Sequence, residues 1–356
     1  MSGIRIRGEE VRRFILSNVE SHGTGLSKLV AEHFHITRQA VNKHLHRLIA
    51  EGVVLRIGKT RSYRLAPSIV WENLYLISPG MAEDVIWRNE INPVLGKQPE
   101  NVMEIWNYGF TEMFNNVLDH SGASEVFVHI ERTALSTMIS IMDNGVGIFK
   151  KIQNALNLLD ERHAILELSK GKLTTDPIRH TGEGIFFSSR MFDSFVILSG
   201  GIYFQHEFGH REDWISESSR YEQGTTVWMQ LNNHTARTTK KIFDSFMSKD
   251  DFGFTKTVVP VRLARYGDDK LISRSQAKRL LARIELFKTV ILDFSYVPTI
   301  GQAFADEIFR VFSQQHPETE ILFHKANSEV KRMIEYAKSG KMKNGGIEST
   351  QEVGLS

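Results

Sequence analysis

Residues 136–148 read STMISIMDNGVGI. The first eight alternate between the two sides of a half-buried strand. An acid, Asp143, and two glycines, Gly145 and Gly147, then fall where that strand should end. Taken alone, DNGVGI is best read as a hairpin turn with an acid beside it, because Asn-Gly is a favoured turn dipeptide. Two functional alternatives make specific demands. A dinucleotide fingerprint needs G-x-G-x-x-G within a parallel βαβ unit, but the preceding EVFVHIE (125–131) alternates like a hairpin partner. An EF-hand loop needs more acids at alternate positions and a closing Glu. Neither fits, so the flanking sequence has to decide.

Upstream, residues 100–120 form a strong helical pattern. Glu112, Asn116, Asp119 and His120 lie at i, i+4, i+7 and i+8 and share one face, with Phe110, Met113, Phe114, Val117 and Leu118 on the other side. By itself this is an amphipathic helix with a solvated polar face. Downstream, a variable stretch is followed by T-G-E-G-I (181–185) and then by G-T-T-V (224–227). In this order and spacing the set resembles the GHKL ATPase fold shared by gyrase, histidine kinases and anti-sigma-factor kinases. The resemblance covers roughly residues 100–232 and implies an α/β sandwich, a mixed sheet covered by helices, that binds Mg-ATP.

On that resemblance Asp143 accepts the exocyclic amino group of adenine, a donor that is costly to bury unpaired. Gly145 and Gly147 let the backbone approach the base, with Ile148 closing the motif. Thr226 matches the threonine that supports the adenine. Thr181, Gly182, Glu183 and Gly184 open a helix whose N–H groups face the phosphates. Asn116 offers a hard oxygen to Mg2+, and Glu112 is placed to orient or deprotonate an attacking water. Asp119 departs from the pattern, since histidine kinases often carry Lys or Arg there. The loop KGKLTTDPIRHTGEG offers Lys170, Lys172, Arg179 and His180 instead, where the family has its mobile lid. An ordinary solvated basic loop would look the same. No dimerisation helix with a phosphoacceptor His is present in the sequence, which disfavours autophosphorylation on His.

The first 66 residues carry a separate signature. They hold 12 Lys/Arg against 5 Asp/Glu, a surplus of seven positive charges in a chain of net charge +2. Three helical stretches, 9–21, 25–34 and 37–52, precede VVLRIGKTRSYRLAP (53–67), two short strands around a Gly-Lys turn. This order resembles a winged helix-turn-helix domain. It implies that Arg38, Gln39, Asn42, Lys43 and His46 face a major groove, while Arg56, Lys59 and Arg61 in the wing meet phosphates. A winged helix used for protein contact is the alternative.

Beyond residue 250 strands and helices alternate, which predicts a small α/β layer domain over 255–340. VILDFSYVPTIG (290–301) resembles the strand, loop and helix start of STAS-like domains and, more distantly, anti-anti-sigma factors. There a Ser is the phosphoacceptor; here Thr299 is the candidate, with an ordinary helix-start residue as the plainer reading. Residues 67–99 read as a connector, 233–254 as a linker and 341–356 as a polar disordered tail. The expected fold class is therefore α+β and multidomain.

The chain has no cysteine, which excludes disulfide and thiolate chemistry. It has no apolar run long enough to span a bilayer and no signal-peptide pattern, so a cytoplasmic location without membrane association is expected. The expected function is that of an ATP-dependent DNA-binding regulator, a homodimer that slowly hydrolyses Mg-ATP and engages a regulatory protein through its STAS-like domain. The alternatives are an anti-sigma-type Ser/Thr kinase with its substrate domain fused in cis, and a non-catalytic ATP-sensing scaffold.

Overall fold

The computed structural model describes residues 6–22, 25–57, 62–173, 182–209, 214–217, 223–248, 251–265 and 270–339. They form a mixed α/β protein that divides into two compact units, 1–148 with 188–242, and 149–187 with 243–356.

The first unit begins with α1 (Ile6–Asn18), α2 (Leu26–Phe34) and α3 (Arg38–Ala50), followed by an antiparallel pair, β1 (Val54–Ile57) and β2 (Ser62–Leu65). Val11, Ile15, Val30, Val41, Leu45 and Leu48 recur at helical spacing and bury against one another. Thr37 starts α3 by accepting a hydrogen bond from the Ala40 N–H at 3.2 Å. Ala134, from a later turn, joins the same core. Glu9 accepts from the Ala236 N–H at 2.8 Å, which seats α1 on the sheet that follows.

That sheet has seven strands in the order β3-β4-β5-β9-β6-β7-β8. They are β3 (Ile69–Leu76), β4 (Glu125–Arg132), β5 (Ser136–Asp143), β6 (Ser194–Ser199), β7 (Ile202–Glu207), β8 (Trp214–Glu217) and β9 (Thr225–Asn232). Every neighbouring pair is antiparallel, not mixed as the resemblance implies. The reason is the placement of β9. It runs opposite to both β5 and β6, so the two strands that share a direction are never neighbours. The edge strand β3 falls in the stretch expected to be a connector. Val70, Leu74 and Leu76 on it are 61%, 54% and 68% exposed, so its alternation marks no buried outer face.

α4 (Glu83–Ile86) and α5 (Asn92–Leu95), joined by a wider turn over Trp87–Ile91, lead into α6 (Glu100–Asn116), which widens again over Val117–Ser121. Trp106, Phe110 and Phe114 of α6 are fully buried. Close packing occurs at Gly109, where an added Cβ would lie 2.4 Å from the Phe192 ring and 3.4 Å from Met229 Sδ on β9.

The division between the units cuts through three helices, α7 (Ile148–Leu156), α9 (Gly184–Met191) and α10 (Thr239–Phe246). The second unit also holds α8 (Arg162–Lys170) and a short antiparallel pair, β10 (Met247–Ser248) with β11 (Asp251–Phe254). Its sheet is parallel, β12 (Lys256–Pro260), β13 (Thr289–Asp293) and β14 (Glu320–His324). Around it are α11 (Arg274–Leu281), α12 (Gln302–Asp306), α13 (Ser313–Gln315) and α14 (Ser328–Ser339). The helix expected over 273–287 stops at Leu281, because Ala282 is extended and Arg283 takes a left-handed φ of 65°.

Residues 149–187, expected within the 100–232 domain, pack with this C-terminal sheet. Lys170 is 1% exposed. Its Nζ donates to Glu167 at 2.7 Å and to the carbonyls of Ala282 and Arg279 at 2.7 and 3.2 Å. Three ammonium donors thus meet three acceptors, the condition under which a buried charge is tolerated. Arg283 adds a second cation to Glu167 at 3.3 Å, and the Thr257 hydroxyl on β12 donates to the Lys170 carbonyl at 2.7 Å. Phe186, Phe187, Phe243, Phe246 and Phe254 interleave in one aromatic cluster.

The packing at Gly109 fixes the sign of a substitution. Alanine favours a helix interior by about 1 kcal/mol over glycine, but here the new methyl group meets an enclosed ring. Gly109→Ala is expected to destabilise the protein by about 1–3 kcal/mol in urea unfolding. An unchanged or raised midpoint would contradict this packing.

Candidate functional site

The 143–148 loop closes on itself before it meets any ligand. Asp143, 9% exposed, ends β5, and its Oδ1 accepts the Gly145 N–H at 2.8 Å. Asn144 caps the start of β4, its Oδ1 accepting from the Ser124 and Glu125 N–H groups at 2.9 and 3.2 Å. The Val146 N–H donates to the Ser121 carbonyl at 3.0 Å, which joins the loop to the end of the helical run that begins with α6. The Ile148 N–H donates to Thr225 Oγ1 at 3.0 Å.

The glycines serve this closure. A Cβ on Gly145 would fall 2.3 Å from the Ser121 carbonyl oxygen. Gly147 has a φ of +93°, and a Cβ there would lie 2.7 Å from Ser199 Oγ. Protein atoms, not an open space for a base, thus occupy the positions that side chains would need.

The strand register singles out a residue that the sequence pattern misses. Asp143 lies directly opposite Thr225 on β9, and Met142 lies opposite Thr226. Opposed residues in an antiparallel pair share a face, and successive residues alternate. Thr225 is therefore on the side of Asp143, and Thr226 is on the other side. The Thr225 hydroxyl already accepts from Ile148, which leaves its proton free to donate. G-T-T contains two threonines, and only pairing with β5 distinguishes them.

Asp143 sits in an unusual electrostatic setting. Burial pushes its pKa up, and the backbone N–H groups of Gly145 and Thr225 oppose that shift. No Lys, Arg or His pairs with it among the described residues. A buried carboxylate held only by neutral donors is suited to a further neutral donor, such as an amino group.

Glu112 and Asn116 are half-buried, one turn apart on α6, while Asp119 is exposed and His120 half-buried. The Asn116 Nδ2 is enclosed and has no partner among the described residues. No cluster of three or more His, Asp or Glu side chains suited to a metal occurs among those residues. The unpartnered group of Asn116 is its amide N–H, a hydrogen-bond donor, whereas a magnesium ligand would have to be the side-chain Oδ1.

In the second unit, Lys172 donates from Nζ to the Leu286 carbonyl at 3.0 Å and lies 4.8 Å from the centre of the Phe287 ring. Gly182 accepts at its carbonyl from the Leu173 N–H at 3.0 Å. Burial raises the Glu183 pKa, and Lys172 opposes this. Gly184 begins α9. Arg179, His180 and Thr181 lie outside the described residues, as do Lys59 and Arg61.

At the start of the chain, Arg38, Gln39, Lys43, His46 and Arg56 are exposed. Asn42 is half-buried and accepts from Ser27 Oγ at 3.1 Å, so it ties α2 to α3. Near the other end, Thr299 is half-buried. It does not start α12, whose cap is Gly301. The loop around it is held by Asn327, whose Nδ2 donates to the carbonyls of Val297 and Pro298 at 3.2 and 2.9 Å.

A family model described as a STAS-like domain of unknown function (DUF4325) matches residues 276–331. The match runs from α11 through β13 and β14 into α14, so the C-terminal part of the chain is STAS-like. No curated protein matches the chain. Among the described residues no helix is long and apolar enough to cross a membrane.

The raised pKa of Asp143 has a definite sign. Its contribution to stability is full below the ordinary carboxylate pKa and is lost as pH rises through the raised folded value. Asn keeps the acceptor for Gly145 and removes the buried charge. Asp143→Asn, without nucleotide, is therefore expected to gain thermal stability relative to the parent as pH rises from about 4 towards neutrality. A pH series of melting curves with a constant offset would exclude this burial penalty.

Proposed function

We propose that the protein is an ATP-dependent DNA-binding regulator in which a GHKL-type domain binds and slowly hydrolyses Mg-ATP. The observation that carries this reading is the pairing of Asp143 with Thr225, which puts a buried, cation-free carboxylate beside a hydroxyl whose proton is free. An adenine amino group would donate to Asp143, and the Thr225 hydroxyl would serve an adjacent ring nitrogen directly or through water. The α6 extension carrying Ser121 contacts the same loop. Its upstream residues Asn116 and Glu112 would serve the magnesium and the attacking water. Magnesium, when bound with the nucleotide, would neutralise phosphate charge. Glu112 would hold the water and take up its proton. The sequence resemblance extends the assignment to the phosphates at Gly182, Glu183 and Gly184.

For DNA, the supporting observations are the seven-charge surplus over residues 1–66 and the exposure of Arg38, Gln39, Lys43 and Arg56. The capped α3 would present Arg38 and Gln39 from its first turn as a winged helix does. Asn42, engaged by Ser27, would shape that surface rather than read a base. The STAS-like domain would engage a regulatory protein or be the part that responds to nucleotide.

Calorimetry with ATP tests the adenine assignment. Asp143→Asn should weaken binding by about 1–3 kcal/mol. Thr225→Val should also weaken it, whereas Thr226→Val should not. Unaltered affinity in Asp143→Asn would sink the assignment. Labelled ATP separates the possible outcomes: free phosphate that depends on Glu112 supports hydrolysis, and a Thr299-dependent protein label would mean a kinase instead.

DNA binding is expected to weaken in Arg38→Ala and Lys43→Ala. Each variant that loses a phosphate contact should reduce the salt-dependence slope by about 0.9. Retention of full affinity and slope in the double variant would move DNA binding elsewhere.

A further inference from the structure

The large sheet ends in two unlike edges. β8, at one edge, has 4 residues, and β3, at the other, has 8. β3 pairs with β4 in one unbroken register, from Ile69 opposite Arg132 to Leu76 opposite Glu125. No other strand lies beside it among the described residues. An edge strand offers a row of N–H and C=O groups to any other chain, and proteins blunt it with Lys, Pro, a bulge or a short length. IVWENLYL (69–76) has none of these devices. Its single charge is Glu72, and Val70, Leu74 and Leu76 present apolar side chains to solvent.

The pairing with β4 fixes which groups face outward. The Ile77 N–H, in line with the β3–β4 register, donates to the Ser124 carbonyl at 2.9 Å. Successive residues of a strand turn their N–H and C=O groups to opposite sides. Ile69, Trp71, Asn73 and Tyr75 therefore direct theirs to β4, and Val70, Glu72, Leu74 and Leu76 direct theirs to the free edge. The side chains divide in the same way. Tyr75 lies edge-on to Phe114 of α6, and Tyr75 and Asn73 donate to Glu90 at 2.8 and 3.1 Å, so these positions face the helices. Val70, Glu72, Leu74 and Leu76 face the other side of the sheet.

We propose that β3 pairs with the β3 of a second copy of this chain, antiparallel and two-fold symmetric, so that the two large sheets join edge to edge. Under a two-fold axis normal to the sheet, opposed residues lie on the same face. With the axis at Asn73, Val70 lies opposite the partner's Leu76, and Glu72 lies opposite the partner's Leu74. Each outward N–H and C=O of Val70, Glu72, Leu74 and Leu76 then meets another from the same set. Leu74 is also diagonal to the partner's Val70 and the partner's Leu74, within reach of both. Other registers fit worse. An axis at Glu72 sets that carboxylate against the partner's Glu72, and like charges directly opposite are destabilising. An axis at Leu74 sets Val70 against the partner's Ser78, beyond the end of the strand. This self-complementarity, in groups and in charge, favours a second copy over a strand of unrelated sequence. The pairing does not depend on the proposed nucleotide or DNA binding. On the DNA reading, it would present two α3 helices to two-fold-related half-sites.

The test is sedimentation of the full chain over a range of concentrations, combined with cross-linking. A reversible monomer–dimer equilibrium is expected. Leu74→Lys and Val70→Lys, both at exposed positions, should each weaken dimerisation by about tenfold or more and leave the circular dichroism spectrum unchanged. Because the chain has no cysteine, a single engineered thiol reports the register. Residues opposed at a non-hydrogen-bonded position have Cα atoms about 4.5 Å apart, close enough for a disulfide. Asn73→Cys should therefore oxidise to a linked dimer. Leu76→Cys, more exposed but away from the axis, should not. The proposal is overturned by a chain that stays monomeric at every concentration, by a dimer whose affinity is unchanged in both lysine variants, or by linkage in Leu76→Cys as efficient as in Asn73→Cys.

Discussion

The pairing of β9 between β5 and β6 is the constraint on which the first unit depends. β9 comes last of the seven strands in the chain and lies between two that were made long before it. It supplies Met229 to the core under Gly109 of α6 and sets Thr225 opposite Asp143. The turn before it, with Gly224, is packed so closely on β5 that a Cβ would fall 1.9 Å from the Asp143 carbonyl oxygen. A slip of one residue would turn Thr225 away and replace it with Thr226, because side chains alternate along a strand. Core packing and site chemistry therefore depend on the same register.

Two buried ionisable groups illustrate opposite solutions. Lys170 is surrounded by a carboxylate and two carbonyls, so its charge is fully met inside the second unit. Burial still pushes its pKa down, and Glu167 acts against that. This is the arrangement of a structural link, and it ties α8 to the chain around Arg279–Arg283. Asp143 has backbone donors and no cation, so its charge is incompletely met. A group left in that condition is costly to the fold and receptive to a ligand. The contrast separates two residues that a sequence alone would treat alike as charged positions in a candidate nucleotide domain.

The chain passes between its two units three times, after residues 148, 187 and 242. The stretch between the first two crossings carries α8 and the start of α9 in the second unit. Lys172 illustrates the consequence. As a basic residue in a loop it suits a phosphate, but its Nζ is on the Leu286 carbonyl beside the Phe287 ring. Lys170 and Lys172 are thus held within the second unit, the first by Glu167 and two backbone carbonyls and the second by a carbonyl beside an aromatic ring.

Local pattern was enough to read much of this protein. The capped α3, the alternation of β4 and β5, the amphipathic α6 and the strand-helix order after residue 255 are each dictated by neighbours within a few turns. The STAS-like character of the C-terminal part was legible for the same reason. Strand β3 was not, because its outer side chains are exposed and leave no buried stripe. The early end of α11 was not, because Arg283 leaves the helix to reach Glu167 and Lys172, which are more than a hundred residues away in sequence. The sequence by itself determined α3, α6, β4, β5 and the strand-helix order after residue 255, and which acid ends β5. Tertiary structure alone decided that β9 separates β5 from β6, that Thr225 is the threonine beside Asp143, and that residues 149–187 belong with the C-terminal sheet. Those outcomes depend on register and on burial of distant charges, and neither leaves a periodic mark on the local sequence.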